Sequence, residues 1–211
     1  MIFRNRDDAA HMLVQKLQQY RGQNPLLLAI PRGAVPMAEY MAKALEGEVD
    51  VVLVRKLRAP ANPELAIGSV DESGWTYLAD YAKRMAGSEY IEAEKERQLQ
   101  VMRERRAQYT PVRPPLDPTG RIVIVVDDGL ATGATMIAAL HALRAKAPKK
   151  LVCAVPVAPP DTLEKVRPYA DEVVCLSAPE SFYAVGQFYM DFPQVSDGEV
   201  VALLRAGGGK L

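Results

Sequence analysis

Histidine and cysteine are scarce in this chain, with two of each in 211 residues. His11 and His141 have no cysteine or second histidine at ligand spacing, which excludes the usual zinc arrangements, and both fall in predicted helices, where they are weak catalytic candidates. Cys153 and Cys175 each lie inside an apolar run and read as reduced thiols, not as a disulfide or metal ligands. Net charge is missing too. The 26 Lys and Arg balance 26 Asp and Glu, so no overall field draws in nucleic acid or an anionic membrane, and binding is expected in a local pocket. No apolar run approaches the roughly 18 residues of a membrane span, and the charged start Met1–Asp8 has no signal-peptide core. A cytoplasmic location is expected. A Gly-x-Gly-x-x-Gly after the first apolar run is also lacking, which removes a dinucleotide-binding oxidoreductase. With no solenoid-period repeat, the length fits one domain, 1–211, around one core.

What is present alternates between strand and helix patterns. Asp7 or Asp8 is placed to cap a helix reaching Tyr20, with Met12, Leu13, Leu17 and Tyr20 on one face. Leu26–Ile30 reads as a buried strand, 31–34 as a tight loop, Val35–Leu45 as a helix ended by Gly47, and Val49–Arg55 as a second strand. Residues 59–63 are too rich in proline for regular structure and predict a mobile loop. Ala66–Val70 and Trp75–Leu78 flank a polar turn and predict a hairpin outside the main sheet. From Ser88 to Tyr109 a thin stripe of Ile91, Leu99 and Met102 in a highly charged stretch predicts a long solvent-facing helix. Pro111, Pro114, Pro115 and Pro118 form a linker. Strands Ile122–Val126, Leu151–Val157 and Glu172–Leu176 follow, with a helix at 161–166 between the last two and a disordered tail at 207–209. The βαβα order predicts an α/β fold with a doubly wound, mostly parallel sheet.

The segment 123–135 carries the densest chemistry. An unbroken Val-Ile-Val-Val run reads as a strand buried on both faces, and ligands of such sheets bind at the strands' carboxyl ends. Asp127 and Asp128 stand at that end, where carboxylates accept charge-assisted hydrogen bonds from vicinal hydroxyls but repel a phosphate. The following loop favours a phosphate: Thr132 and Thr135 bring hydroxyl donors, Gly133 permits close backbone approach, and a helix start supplies free N–H groups. A ligand with a diol and a phosphate one ribose apart satisfies both halves. The competing account is a surface turn whose acids cap the helix.

This block resembles the 5-phosphoribosyl 1-pyrophosphate (PRPP) motif of the type I phosphoribosyltransferases: an apolar strand, two acids, two mostly apolar residues and Thr-Gly-x-Thr. The resemblance implies that Asp127 and Asp128 hold the ribose hydroxyls and serve catalysis, while Ala131, Thr132, Gly133, Ala134 and Thr135 wrap the 5-phosphate. It implies the type I fold with a small hood and an inserted charged helix, at about 79–110, and a hood or C-terminal cap at about 177–195. Pro31-Arg32-Gly33-Ala34 occupies the place of the family's pyrophosphate loop, often Arg-Gly-Gly, with Ala34 in place of the second glycine. Arg32 and Gly33 are the expected contacts there, and Arg32 offers a planar fork for phosphate oxygens. Arg55, Lys56 and Arg58 crowd the end of the second strand; Arg55 and Lys56 are candidate pyrophosphate contacts, and Lys56 is the first candidate for catalysis. Leu57–Ala66 resembles in position the family's flexible hood loop.

Four Phe and nine Tyr make up the thirteen rings of those two types, and five lie within 182–192, so this segment is either a packing cap or the acceptor's stacking platform, with Phe182 or Tyr183 as stacker. The Pro-Arg-Gly loop, the Arg-Lys loop with Pro-Glu-Leu-Ala-Ile-Gly, and Ala-Val-Gly-Gln-Phe-Tyr together resemble bacterial stand-alone members of unassigned acceptor. The expected activity is Mg²⁺-dependent transfer of 5-phosphoribosyl from PRPP to a nitrogen acceptor such as a nucleobase, releasing pyrophosphate. Mg²⁺ is expected to be held through PRPP, with Asp127 and Asp128 as the protein groups near it. The alternative is a PRPP- or nucleotide-sensing regulator without transfer. For the charged helix, a lid and a homodimer interface both stay open.

Overall fold

Two sheets divide the chain in the computed structural model, which describes residues 1–109, 111 and 115–207. The central sheet is five-stranded and parallel, with spatial order β2-β1-β6-β7-β8. Its strands are β1 (Leu26–Ala29), β2 (Glu48–Val51), β6 (Ile122–Val126), β7 (Lys150–Val157) and β8 (Glu172–Ser177). A small antiparallel sheet joins β3 (Val54–Arg58), β4 (Ala66–Asp71) and β5 (Thr76–Leu78), with the register shifting between Leu57 and Arg58. The architecture is the α/β, mostly parallel one expected, with the hairpin outside the main sheet.

Burial explains why β6 lacks polar alternation. Ile122, Ile124 and Val126 enter one core with α1 (Arg6–Lys16) and α2 (Ala34–Ala44), while Val123 and Val125 enter another beneath α5 (Ala134–Arg144). Both faces are covered, so every position is apolar. The sheet turns direction between β1 and β6: the chain moves outward from β1 to β2 on one side, and from β6 through β7 to β8 on the other. Loops leaving β1 and β6 therefore diverge above a crevice, where ligands of open α/β sheets bind.

Three expectations need correction. The predicted strand Val49–Arg55 is two strands in different sheets, because the chain leaves the parallel sheet at Val52-Leu53. Residues 51–54 are all buried, so the burial pattern has no polar break to announce the change. The cap of α1 is Asn5, whose side chain accepts from the Asp8 amide at 2.9 Å; Asp7 and Asp8 lie in the first turn, and the helix stops at Lys16 before a 3₁₀ turn over Gln18–Tyr20. The long helix α4 (Ser88–Tyr109) exists, following the short α3 (Ala82–Met85), yet it is not merely solvent-facing: Glu94, Gln98, Leu99, Met102 and Tyr109 are buried. The helix α6 (Pro160–Val166) stands where a helix was expected, and α7 (Asp197–Gly207) is a further, unexpected helix whose start is marked by a Ser196–Glu199 capping box: the Ser196 amide donates to Glu199 Oε2 at 2.6 Å and the Glu199 amide to Ser196 Oγ at 3.2 Å. Of the predicted tail, residues 208 and 209 lie outside the described residues, as does Pro114 of the linker.

Candidate active site

A cleft of about 390 Å³ opens above the carboxyl ends of β1 and β6. Arg32 and Gly33 line it from the β1 loop, Asp127 and Asp128 from the tip of β6, and Arg55 and Lys56 from β3. Ala131, Thr132 and Gly133 line it from the loop ahead of α5, and Thr135 from the first turn of that helix. Ala134 does not line it: this residue is buried as the first of α5, where its carbonyl accepts from the buried Ser69 hydroxyl at 2.5 Å. Phe182 and Tyr183 do not line it either. Phe182 packs on Phe188 with centroids 5.0 Å apart, and Tyr183 is 90% exposed. The C-terminal segment reaches the cleft instead through Val185, which packs so closely on Gly129 that a Cβ there would stand 2.6 Å from Val185 Cγ1.

The phosphate loop is shaped by glycine geometry. Gly133 has φ +78°, a left-handed conformation that side chains disfavour, and starts α5 so that the helix's free amides open onto the loop. Thr162 of α6 fixes the loop from below, its hydroxyl donating to Ala131 O at 2.7 Å. In the β1 loop, the Pro31–Arg32 peptide is cis.

The acidic pair is electrostatically tight. Burial first, and the neighbouring Asp128 second, push the Asp127 carboxyl well above the usual range; Lys56 opposes them. Asp127 also accepts from the Asp128 amide at 2.9 Å. Burial raises Asp128 as well, against the pull of Arg6, whose Nε donates to Asp128 Oδ2 at 3.0 Å. Tyr189 donates its hydroxyl to Asp128 O at 2.6 Å, and burial raises the phenol.

On the opposite wall the cations are held by α4. Arg55 Nε donates to Gln98 Oε1 at 2.9 Å, and the Arg58 amide donates to Glu94 Oε1 at 3.2 Å. Burial, then Arg105 and Arg58, lower the Arg55 pKa, which marks a site where an added anion is favoured. Burial works against the Glu94 charge, but donors from Gln98, Arg58 and Arg97 outweigh it and hold that carboxyl below its ordinary value.

The phosphoribosyl transferase domain family matches residues 2–193. The chain belongs to the phosphoribosyltransferase family. A Mycobacterium tuberculosis protein, whose name assigns it provisionally to the phosphoribosyl transferases, is 43% identical over 205 residues, or 96% of this chain and 46% of the relative. This phosphoribosyltransferase domain thus spans about half the length of the curated relatives it matches. The crystal structure of TT1426 from Thermus thermophilus superposes with a TM-score of 0.82 at 46% identity, covering 99% of this chain and 100% of that one. AQ2163 from Aquifex aeolicus, 15% identical, shares the fold at a TM-score of 0.52 over 86% of this chain and 78% of its own.

Within this phosphoribosyltransferase domain, sequence reasoning missed Arg6, Glu94, Gln98, Thr162 and Tyr189. Glu94 and Gln98 left a trace: they interrupt the apolar stripe of α4 on its own face, one turn apart. Arg6 left none, being 122 residues from Asp128.

Proposed function

We propose that this domain transfers 5-phosphoribosyl from PRPP to a nitrogen acceptor such as a nucleobase, with release of pyrophosphate. One observation carries the reading: a single cleft gathers paired carboxylates, a glycine-bearing loop at a helix start, and a cationic wall. Asp127 and Asp128 accept from the ribose hydroxyls, Ala131, Thr132, Gly133 and Thr135 wrap the 5-phosphate, and Arg32, Gly33, Arg55 and Lys56 take the pyrophosphate. Lys56 stabilises charge on the departing group, and the two carboxylates favour positive charge growing on the sugar ring. The loop 59–65 between β3 and β4 closes over the reactants to exclude water. Stacking of the acceptor by Phe182 or Tyr183 requires the 177–195 segment to fold further over the cleft, since neither ring lines it.

A divalent cation fits this donor set. Mutual repulsion and burial make the charge on Asp127 costly, and a cation relieves both. Among the described residues, no group of three or more His, Cys, Asp or Glu forms a metal cage. Asp127 and Asp128 would therefore hold Mg²⁺ jointly with ligand oxygens, as this ion prefers. Bound there, it supplies neutralisation of the pyrophosphate charge.

The deciding experiment incubates the protein with PRPP, Mg²⁺ and a panel of purines, pyrimidines and simple amines, and follows pyrophosphate release. Acceptor-dependent release is expected. Tight PRPP binding with no release across the panel, and no isotope exchange between pyrophosphate and PRPP, transfers the assignment to a PRPP- or nucleotide-sensing regulator of the same fold.

A further inference from the structure

Arg6 begins α1, far from the motif in sequence, yet its guanidinium is engaged on three sides. Nε donates to Asp128 Oδ2 at 3.0 Å, Nη1 donates to Pro193 O at 2.6 Å, and the planar face lies over the Phe192 ring with its carbon 3.9 Å from the centroid. The Arg6 and Asp128 side chains are only 10% and 15% exposed. Among the described residues, this is the one ion pair made by either member of the acidic pair.

Two further observations show that the surroundings accommodate this contact. Gly33 leaves it room: a Cβ there would stand 2.3 Å from Asp128 Oδ2 and 2.8 Å from Arg6 Nη2. The second residue of the Arg-Gly loop is therefore bare on account of the ion pair, independently of any pyrophosphate. Residues 3–4 and 188–191 are also laced together beside the site. Phe3 N donates to Phe188 O at 2.8 Å, Met190 N to Phe3 O at 2.9 Å and Asp191 N to Arg4 O at 2.9 Å, which fixes the start of α1 against the segment leading to Pro193.

We infer that Arg6 is a positioning residue for the sugar site: by holding one oxygen of Asp128, it orients that carboxylate so that the other oxygen accepts from a ribose hydroxyl. This rests on the PRPP reading above. Only a guanidinium makes these contacts together, because a lysine ammonium has neither the flat face for Phe192 nor the fork that joins Asp128 to Pro193. The role makes Arg6 and the 192–193 segment part of a sugar site whose motif lies far from both in the sequence.

The test separates the diol from the phosphates. Calorimetric affinities for PRPP and for inorganic pyrophosphate, each with Mg²⁺, are compared in wild type, Arg6→Ala, Arg6→Lys and Asp128→Asn, alongside melting temperatures. Arg6→Ala is expected to weaken PRPP about tenfold to a hundredfold, the loss typical of one charged hydrogen bond, while pyrophosphate, which has no diol, changes less than about threefold. Arg6→Lys falls between, and added guanidinium ion restores part of the PRPP affinity of Arg6→Ala. If both affinities fall in parallel with the melting temperature, Arg6 is merely structural and the inference is overturned. Where Arg6→Ala does not fold, Arg6→Lys carries the same comparison. Unchanged PRPP binding in the Arg6 variants, with Asp128→Asn weakened, overturns the inference alone. A wild type that does not bind PRPP overturns the sugar-phosphate reading itself, before any variant is made.

Discussion

Asp128 shows how one residue meets several demands at once. Its amide donates to Asp127, its carbonyl accepts from Tyr189, and its carboxylate pairs with Arg6. Asp128→Asn keeps the shape and removes the charge, so PRPP affinity measured by calorimetry should fall about tenfold to a hundredfold, equivalent to roughly 1.5–3 kcal/mol. Gly133 is constrained by the backbone instead. An alanine there must hold φ near +78° and place its Cβ 2.9 Å from Thr162 Cγ2. The left-handed conformation alone costs about 1–2 kcal/mol, so Gly133→Ala should lower the melting temperature by roughly 2–8 °C and weaken ribose 5-phosphate binding. Both residues were legible as site candidates in the sequence, because the acid pair and the glycine loop are contiguous. Their partners Arg6, Tyr189 and Thr162 were not, because each comes from another element.

At the scale of elements, α4 is the main surprise. Its charged composition reads as a solvated helix, but Glu94 and Gln98 face inward and carry the end of β3 with its cations. Gln98→Leu preserves helix propensity and bulk while removing the acceptor for Arg55. Pyrophosphate affinity should fall several-fold, and stability should drop by about 1–3 kcal/mol in chemical denaturation, since a half-buried guanidinium loses its partner. A variant with wild-type pyrophosphate affinity would show that Arg55 needs no support from α4. The split between β2 and β3 is hidden for a related reason. Periodicity reports whether a residue is buried, not which sheet buries it.

Over the whole molecule, the direction change between β1 and β6 creates the crevice, and away from it the outer helices α4 and α7 are tied to each other. Tyr109, at the end of α4, donates to Asp197 of α7 at 3.2 Å. Burial, with Asp197 adding to it, pushes that phenol up to about 12. A raised phenol means the folded state holds its proton more tightly than the unfolded chain. The contribution is therefore complete below the ordinary value of 10 and is lost as the pH climbs from there toward about 12. Tyr109→Phe should remove this part of the alkaline decline in melting temperature while leaving the acid side unchanged. An identical alkaline profile in the variant would place the decline elsewhere.

The sequence by itself determined the strand-loop-helix cradle, the double burial of β6 and the class of the sheet, because these depend on residues adjacent in the chain and on the local alternation of burial. Only the tertiary structure decided that Arg6 reaches Asp128, that α4 carries the cations and that Phe182 turns to Phe188 instead of the cleft. Those contacts join residues tens to more than a hundred positions apart, or choose between two apolar surroundings. Their energies come from desolvated charges and packing that exist only once the elements have met.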